Sequence, residues 1–393
     1  MEEIKRKKKG MRKRILNSLV CLISLPGVFY GQQTLVQNMD VDGVSRSYRL
    51  YIPGSYDGTS KVPLLFNFHG YTSNALEQEN YGDFRKIADT ANFLIVHPDG
   101  LDIGNGTGWD NFTAYNPENR DYLFVNKLAD ELIASYAIDT TRIYSTGMSN
   151  GSFMSHDLAC FFSQRFAAIA SVAGSMVSLH YAVCNPTRQV PVMHIHGIND
   201  ATVPYGGNSL QNFRSVEDVI TKWAEVNQCT ASPETTMLPD VVLTDLSKVE
   251  RVRYRNGNGE VRVELYRVIG GGHTWPGSSI PLGGLVTNQD IDASVEIWNF
   301  LSSYSLQDQA ASLMEIQRKN GIYPNPVEDR LHLDFDIDGV ASYEIRDLQG
   351  RLCRVGVLNG QEKELDLSEL QTGYYLLLCK TSGKTVQKKF QKQ

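Results

Sequence analysis

The sequence has few cysteines and histidines for its length, and they are not spaced as metal ligands usually are. Six cysteines and eight histidines occur among 393 residues, with no Cys-x-x-Cys pair and no histidine-rich run. Such spacings are typical of zinc sites. We therefore expect no metal and no cofactor, and cysteines that serve as structural thiols or form a disulfide.

The chain also lacks a net positive charge and, beyond residue 31, a membrane-length apolar run. Its formal net charge is −6, with 41% hydrophobic and 21% charged residues. An acidic protein is a poor ligand for nucleic acid or for an anionic membrane, so neither is expected as a partner. The length and composition favour a globular protein of two domains.

The first 31 residues have the order of a secretory signal. Eight Lys or Arg in residues 1–14 precede the apolar stretch "ILNSLVCLISLPGVFYG", which predicts a signal peptide over 1–31, cleaved near Gly31 and Gln32. Removal of this segment changes the formal net charge from −6 to about −12. In an oxidising compartment Cys160 and Cys184 could pair and leave Cys229 free, although the sequence alone does not fix the pairing.

From about residue 47 to 300, buried-strand patterns alternate with amphipathic segments. This alternation predicts an α/β fold with a doubly wound sheet, which we assign to a domain over 32–305. The strands are "YRLYIP", "VPLLFNFHG", "FLIVHPDG", "RIYSTG", "FAAIASVAG", "VPVMHIHG" and "VELYRVIGGG". Asp121 and Ser215 are expected to cap the helices that follow them.

After this domain the sequence pattern changes. Residues 306–317 are polar or small and without strong periodicity, which indicates a linker. Short alternating strands follow, namely "RLHLDFDI", "SYEIRD", "TGYYLLLCK" and "KTVQKKF". They predict a small all-β C-terminal domain over 318–393.

The stretch "STGMSNGSFM" is the strongest chemical signal. It places Ser149 between Gly147 and Gly151, after a predicted strand and before a predicted helix. A nucleophile elbow needs this order, because the tight turn excludes β-carbons at the glycines and forces the serine into strained φ/ψ. Ser149 is therefore the candidate nucleophile.

A serine nucleophile needs a base and an acid, which follow it in the chain in the order acid, then histidine. Asp200 in "HIHGINDATVPYGG" and His273 in "VIGGGHTWPG" each come just after a predicted strand, at the edge where open α/β sheets bind ligands. Asp99 in "HPDG" is the alternative acid, but it precedes the serine.

Four more residues are assigned around this triad. The backbone amides of Asn150 and of Tyr71, in "FNFHGYTSN", are the expected oxyanion donors. Trp109 and Trp275 are either walls of an acyl pocket or buried core residues.

The segments "HGYTSN", "HPDG", "GMSNGS", "HGINDATVPY" and "GGGHTWPG" resemble, in order, the polyhydroxybutyrate-depolymerase-type esterases, which are related to feruloyl and acetylxylan esterases of carbohydrate esterase family 1. The resemblance covers about residues 45–303. It implies an α/β-hydrolase fold, serine esterase activity without a cofactor, and a triad of Ser149, Asp200 and His273.

Residues 318–393 resemble the C-terminal sorting domain of the type IX secretion system of Gram-negative bacteria, on "YPNPVEDRLHL", "YEIRDLQGR", "LDLSELQTGYYLL" and the basic end "KTVQKKFQK". The resemblance implies that the secretion machinery is a partner. It also implies passage through the periplasm and outer membrane, then removal of the tail with release or surface attachment. A carbohydrate-binding or adhesive β-domain is the alternative.

Together these features predict a secreted serine carboxylesterase acting on feruloyl or acetyl esters of plant polysaccharide. Three alternatives remain open at this stage. The first is a depolymerase of polyhydroxyalkanoate or another polyester, the second is a surface binding protein with an inert hydrolase fold, and the third is an acyltransferase with the same triad.

Overall fold

The computed structural model describes residues 31–230, 232–306, 321–334, 340–359, 364–380 and 385–393. The predicted signal peptide, 1–31, and the predicted linker, 306–317, lie outside these ranges except for residues 31 and 306. Within the described ranges, no helix is both long enough and apolar enough to cross a membrane.

A ten-stranded sheet forms the centre of the first domain. Six inner strands, β3, β4, β7, β8, β9 and β12, pair in parallel, and two antiparallel strands extend each side, in the order β1-β2-β4-β3-β7-β8-β9-β12-β11-β10. The seven predicted strands are all present, so the α/β fold is confirmed. The sheet strands are β1 Gln33–Val41, β2 Val44–Ile52, β3 Val62–Phe68, β4 Leu94–Pro98, β7 Ile138–Met148, β8 Ala168–Val172, β9 Val192–Gly197, β10 Glu234–Met237, β11 Lys248–Arg255 and β12 Val261–Ile269, and a separate hairpin pairs β5 Leu101–Asp102 with β6 Thr107–Gly108.

Helices cover both faces of this sheet because its inner strands are apolar on both sides. On β3, Leu64, Phe66 and Phe68 belong to one buried cluster, whereas Leu65 belongs to the cluster on the other face. A strand with one solvated face would alternate with polar residues instead. The helices are α1 Ala75–Tyr81, α2 Arg85–Ala91, α3 Arg120–Ser135, α4 Asn150–Phe161, α5 Ser178–Val183, α6 Val216–Val226 and α7 Ala293–Leu301.

One predicted helix cap is confirmed and one is wrong. The side chain of Ser215 accepts a hydrogen bond from the Asp218 amide and caps α6 as expected. Helix α3 is capped by Asn119 rather than by Asp121. The Asp121 carboxylate lies in the first turn and instead forms a buried ion pair with Arg46, at 2.8 Å. The Asp121 carboxylate therefore neutralises the buried Arg46 guanidinium and does not cap the helix.

A disulfide joins Cys160 at the end of α4 to Cys184 after α5, as the sequence suggested, and Cys229 is free. The two cysteines are separated by 24 residues in the chain. Closing a loop of that length removes conformational freedom from the unfolded chain. The bridge therefore stabilises the segment from the end of α4 through β8 to α5.

We expect the double variant Cys160→Ala and Cys184→Ala to be destabilised by about 3 kcal/mol. Calorimetry of both proteins checks this, because the loss lowers the melting temperature of the first domain by roughly 6 to 12 °C. Reduction of the wild type should lower its melting temperature similarly and leave that of the double variant unchanged. Equal melting temperatures for wild type and variant would contradict a stabilising role.

The C-terminal segment forms two small sheets around an apolar core. One has the order β13-β14-β17 and the other β16-β15-β18-β19. Their side chains, among them Leu331, Ile345, Leu377 and Phe390, form one buried cluster. The all-β prediction is confirmed, with strands β13 Gly321–Tyr323, β14 Arg330–Asp334, β15 Val340–Asp347, β16 Leu352–Asn359, β17 Glu364–Asp366, β18 Gly373–Lys380 and β19 Thr385–Lys392.

Candidate active site

Ser149 lies on a sharp turn between the end of β7 and the start of α4. Its backbone has φ 55° and ψ −121°, a region that residues with side chains rarely adopt. A β-carbon at Gly147 would approach the carbonyl oxygen of Gly151 to 2.6 Å, and one at Gly151 would approach that of His69 to 2.6 Å. The glycines therefore make the turn possible, as the sequence predicted.

We expect Gly151→Ala to disrupt this turn and to destabilise the first domain by about 3 kcal/mol, because the added methyl group collides with the backbone carbonyl groups of Phe68 and His69. Gly206→Ala is the matched control, since a β-carbon there has no neighbour within 4 Å. Thermal unfolding of the two variants measures the difference. A Gly151→Ala protein as stable as the control would contradict the close packing of the turn.

Two glycine-containing loops bring Asp200 and His273 together. The loop after β9 is hydrogen-bonded to the loop after β12, since the Asn199 amide donates to the Gly271 carbonyl at 3.0 Å. A β-carbon at Gly197 would collide with the carbonyl groups of Gly271 and Gly272. This close approach places His273 Nδ1 2.7 Å from Asp200 Oδ2. Residues 73 positions apart therefore form a hydrogen-bonded pair.

Asp200 is ionised although it is buried. Burial alone would raise the pKa of its carboxyl, but hydrogen bonds from His196 and His273 outweigh burial and lower that pKa below its ordinary value. The amides of Thr202 and Val203 also donate to Oδ1, at 2.8 and 2.9 Å. A charged, fixed carboxylate at Nδ1 keeps the proton on that nitrogen and leaves His273 Nε2 free to accept a proton.

Ser149 and His273 line the same cavity, which has a volume of about 580 Å³. The hydrogen bonds among the described residues do not include one between Ser149 Oγ and His273. In unliganded hydrolases this contact is often longer than in the complex with substrate. The structure therefore brings the three predicted triad residues to one site, with the Asp-His contact already formed.

The two amides predicted as oxyanion donors flank Ser149. Asn150 is the first residue of α4, so its N–H has no acceptor within the helix. Tyr71 follows Gly70, where a β-carbon would lie 3.3 Å from Ser149 Cβ. Neither N–H has an acceptor among the described residues. Both amides are therefore available to an anion beside Ser149.

His69 holds the loop that presents the Tyr71 amide. Its Nδ1 lies 2.7 Å from the Gly70 carbonyl oxygen, and its Nε2 accepts a hydrogen bond from the Gly100 amide at 2.8 Å. Nδ1 therefore has the proton. Burial lowers the pKa of His69, so the ring is neutral and serves as a structural connection.

Of the two interpretations left open for Trp109 and Trp275, the structure favours the buried core residue, because the two indoles are 0% and 1% exposed. Trp109 packs edge-on against Phe68, and its backbone is hydrogen-bonded to the Asn150 side chain. Trp275 packs against Gly82, and its amide donates to the Tyr81 hydroxyl at 3.0 Å. Both residues support neighbours of the cavity without lining it.

Asp99, the alternative acid, has a structural role. Its Oδ1 accepts a hydrogen bond from the Ala75 amide at the start of α1, and its Oδ2 accepts one from the Ser47 hydroxyl. Both oxygens are thus occupied by partners other than a histidine. Of the two acids considered from the sequence, Asp200 is the one hydrogen-bonded to His273.

The sequence did not identify most of the cavity lining. Helix α1 and the turn before it contribute polar side chains and Tyr81, and the loop after His273 contributes Ile280 and Leu282. Met148 lies beside the nucleophile. An apolar cavity with a few polar groups is typical of a small-molecule site. The lining residues are Gly70, Tyr71, Thr72, Ser73, Glu77, Gln78, Asn80, Tyr81, Met148, Ser149, His273, Ile280 and Leu282.

Within the described ranges, no group of three or more His, Cys, Asp or Glu is arranged to hold a metal ion. The arrangement of Ser149, His273 and Asp200 with two free amides is suited to nucleophilic acyl transfer.

Comparison with known proteins finds two family matches, one in each part of the chain. Residues 86–185, which include the elbow, match the prolyl oligopeptidase family. Residues 321–393 match the secretion system C-terminal sorting domain. The sorting domain confirms the predicted localisation, which is secreted or on the surface of a Gram-negative cell, with the secretion machinery as a partner.

The relatives of the first domain are esterases and depolymerases. The chain is 27% identical over 230 residues to feruloyl esterase B of Piromyces equi. The aligned region covers 56% of this chain and 41% of that protein. It is 23% identical over 286 residues to poly(3-hydroxyalkanoate) depolymerase C of Paucimonas lemoignei, covering 68% of this chain and 67% of the relative. The chain thus spans less than half the length of the Piromyces protein.

A solved structure of acetyl xylan esterase from Aspergillus awamori matches with a TM-score of 0.50 at 15% identity, covering 68% of this chain and 99% of that one. At this identity the match shows the fold alone. It confirms the predicted α/β-hydrolase architecture.

Proposed function

We propose that the protein is a secreted serine carboxylesterase. Its α/β-hydrolase domain is homologous to esterases and depolymerases, and a secretion sorting domain follows it in the chain. The main support is the Asp200-His273 hydrogen bond of 2.7 Å beside Ser149, whose φ of 55° presents its hydroxyl to the cavity.

In this proposal Ser149 Oγ attacks the ester carbonyl while His273 Nε2 accepts its proton. The carbonyl oxygen becomes an anion and accepts hydrogen bonds from the Tyr71 and Asn150 amides. His273 then gives the proton to the departing alcohol, which leaves an acyl group on Ser149. A water molecule, deprotonated by the same histidine, hydrolyses this acyl-enzyme and restores the serine.

For the substrate we propose feruloyl or acetyl esters of plant polysaccharide. The side chains of Tyr71, Tyr81, Met148 and Leu282 offer the cavity apolar and aromatic surface for an acyl group. Glu77 in the lining disfavours an anionic substrate. The names of the relatives support the same class.

A polyester depolymerase is the second candidate, and the similarity to the Paucimonas depolymerase specifically favours it. Secretion suits either function, because both polysaccharide and polyester are too large to enter a cell.

A substrate panel tests the proposal. The protein is incubated separately with methyl ferulate, acetylated xylan and polyhydroxybutyrate film, and the released acid is quantified. Release of ferulate or acetate at a rate well above that from polyhydroxybutyrate is the expected result. Release from the film alone would replace the first candidate with the second, and hydrolysis of none would support the inert binding protein.

A further inference from the structure

Three buried histidines form a row behind the candidate triad. His194 and His196 lie on β9, with parallel rings and Nε2 of the first 3.1 Å from Nδ1 of the second. The ring of His156, on α4, stacks on His194 with 5.6 Å between centroids. All three are at most 1% exposed. The row ends at Asp200, because His196 Nε2 lies 3.4 Å from Asp200 Oδ2.

The neighbours of His196 determine which of its nitrogens has the proton. Nε2 faces two acceptors, the Val203 carbonyl oxygen at 2.8 Å and the Asp200 carboxylate at 3.4 Å. A lone pair at Nε2 would be repelled by both, so this nitrogen has the proton. Nδ1 of a neutral ring must then accept, and it does so from His194 Nε2–H. The His194 Nε2–H is thus directed at His196, and the His196 Nε2–H is directed at Val203 and Asp200.

The inner end of the row is neutral. Burial lowers the pKa of His156 to about 3 and, with the neighbouring histidines, lowers that of His194 well below its ordinary value. His156 Nδ1 accepts a hydrogen bond from the Trp223 indole N–H, at 3.1 Å. His156 and His194 therefore stay neutral in the pH range of ester hydrolysis, and they present a fixed dipole toward His196 and the carboxylate.

We propose that His196 is a positioning residue of the triad, whose Nε2–H, shared between the Val203 carbonyl oxygen and Asp200 Oδ2, holds the carboxylate toward His273 and weakens its interaction with the His273 ring. The proposal rests on the esterase function proposed above. A carboxylate that interacts with a second N–H donor stabilises the His273 cation less than a carboxylate that interacts with His273 alone. Removal of the His196 donor would therefore let the Asp200 charge act more strongly on His273.

Few other ionisable groups face this pair. The ring of Tyr205 packs edge-on against His196 at 5.8 Å, and its hydroxyl is hydrogen-bonded to Glu217 and Arg267. On the far side of Asp200, His273 faces the cavity, where Glu77 is the acidic residue of the lining. A substitution at His196 leaves all these groups in place.

The test compares His196→Leu with the wild type by two measurements. In the variant Asp200 loses a donor, so its charge acts more strongly on His273. We expect the acidic limb of the pH profile of kcat/KM to move up by about half a pH unit, and kcat to fall about tenfold. An NMR titration of the His273 ring should show the same upward shift, and it requires no turnover.

Three further variants make the result specific. His196→Gln keeps a donor near the Nε2 position, so it should restore the titration of His273. His196→Asn, whose amide ends near the Nδ1 position, should behave like the leucine variant, and it replaces that variant if leucine prevents folding. His97→Leu is the matched control, because His97 is also buried and neither of its ring nitrogens has a hydrogen-bond partner among the residues that the structure describes.

An unshifted His273 titration in the leucine and asparagine variants, or the same shift in His97→Leu, would overturn the proposal. Failure of the esterase function is a separate outcome. If the wild type hydrolyses no ester, the proposed function fails, while the titration still decides whether His196 acts on His273 through Asp200.

Discussion

Ser149→Ala is expected to abolish ester hydrolysis, with kcat on p-nitrophenyl acetate falling by at least about 10³-fold and, on the scale of other serine hydrolases, toward 10⁶-fold. The alanine has no oxygen to attack the carbonyl, and no described neighbour on the elbow can replace it. Ser152, three residues on, is fully buried with its hydroxyl against Ser171. Initial rates at matched protein concentration measure the loss.

Ser152→Ala is the control for this variant. It removes a hydroxyl from the same turn of helix without removing the candidate nucleophile, so it should keep most of the wild-type rate. Equal rates for Ser149→Ala and the wild type would exclude Ser149 as the nucleophile.

Asp200→Asn should lower kcat by about 10³ to 10⁴-fold while the protein stays folded. The asparagine amide can donate to His273 Nδ1, which would place the imidazole proton on Nε2 and remove the base from the serine. In the wild type the carboxylate accepts from His273 at 2.7 Å and cannot do this. The pH profile and the folded fraction by circular dichroism are measured together, so that loss of structure is separated from loss of catalysis.

Asp99→Asn tests the competing assignment of the acid. Asp99 binds the Ser47 hydroxyl and the Ala75 amide, so its replacement should affect stability more than kcat. A large loss of kcat in Asp99→Asn together with a nearly normal Asp200→Asn would show that the acid has been misassigned.

The proximity of the three candidate triad residues could be predicted from the sequence because each of them lies just past an inner strand of a parallel sheet. The carboxyl ends of such strands meet at one edge, so strand patterns are enough to bring Ser149, Asp200 and His273 together. The role of the elbow glycines was equally predictable, because a tight turn depends on local sterics and glycine is the residue without a β-carbon.

The cavity lining could not be predicted in the same way. Trp275 is close to His273 in the chain and Trp109 is not, but for both residues whether the indole faces a cavity or the core depends on packing between distant segments. Gly82, which leaves room for the Trp275 ring, lies almost 200 residues earlier in the chain. Tyr81, Ile280 and Leu282 line the cavity from segments without a recognisable motif.

The role of His196 was hidden for a related reason. In the sequence it is one of two histidines on a buried strand, a pattern that ordinarily indicates a packed core residue. Only the fold shows that its Nε2 faces the Asp200 carboxylate, since the loop after β9 turns back on the strand end. The i, i+4 spacing of His196 and Asp200 is the one signal in the sequence that could have suggested the contact.

Formation of an acyl-enzyme on Ser149 can be tested by trapping a covalent adduct on that residue. The full chain is treated with a fluorophosphonate, digested and analysed by tandem mass spectrometry, with and without prior heat denaturation. We expect a single modified serine, Ser149, in the native protein and no modification after denaturation. Modification of a different serine, or none in a folded protein that hydrolyses esters, would contradict the account.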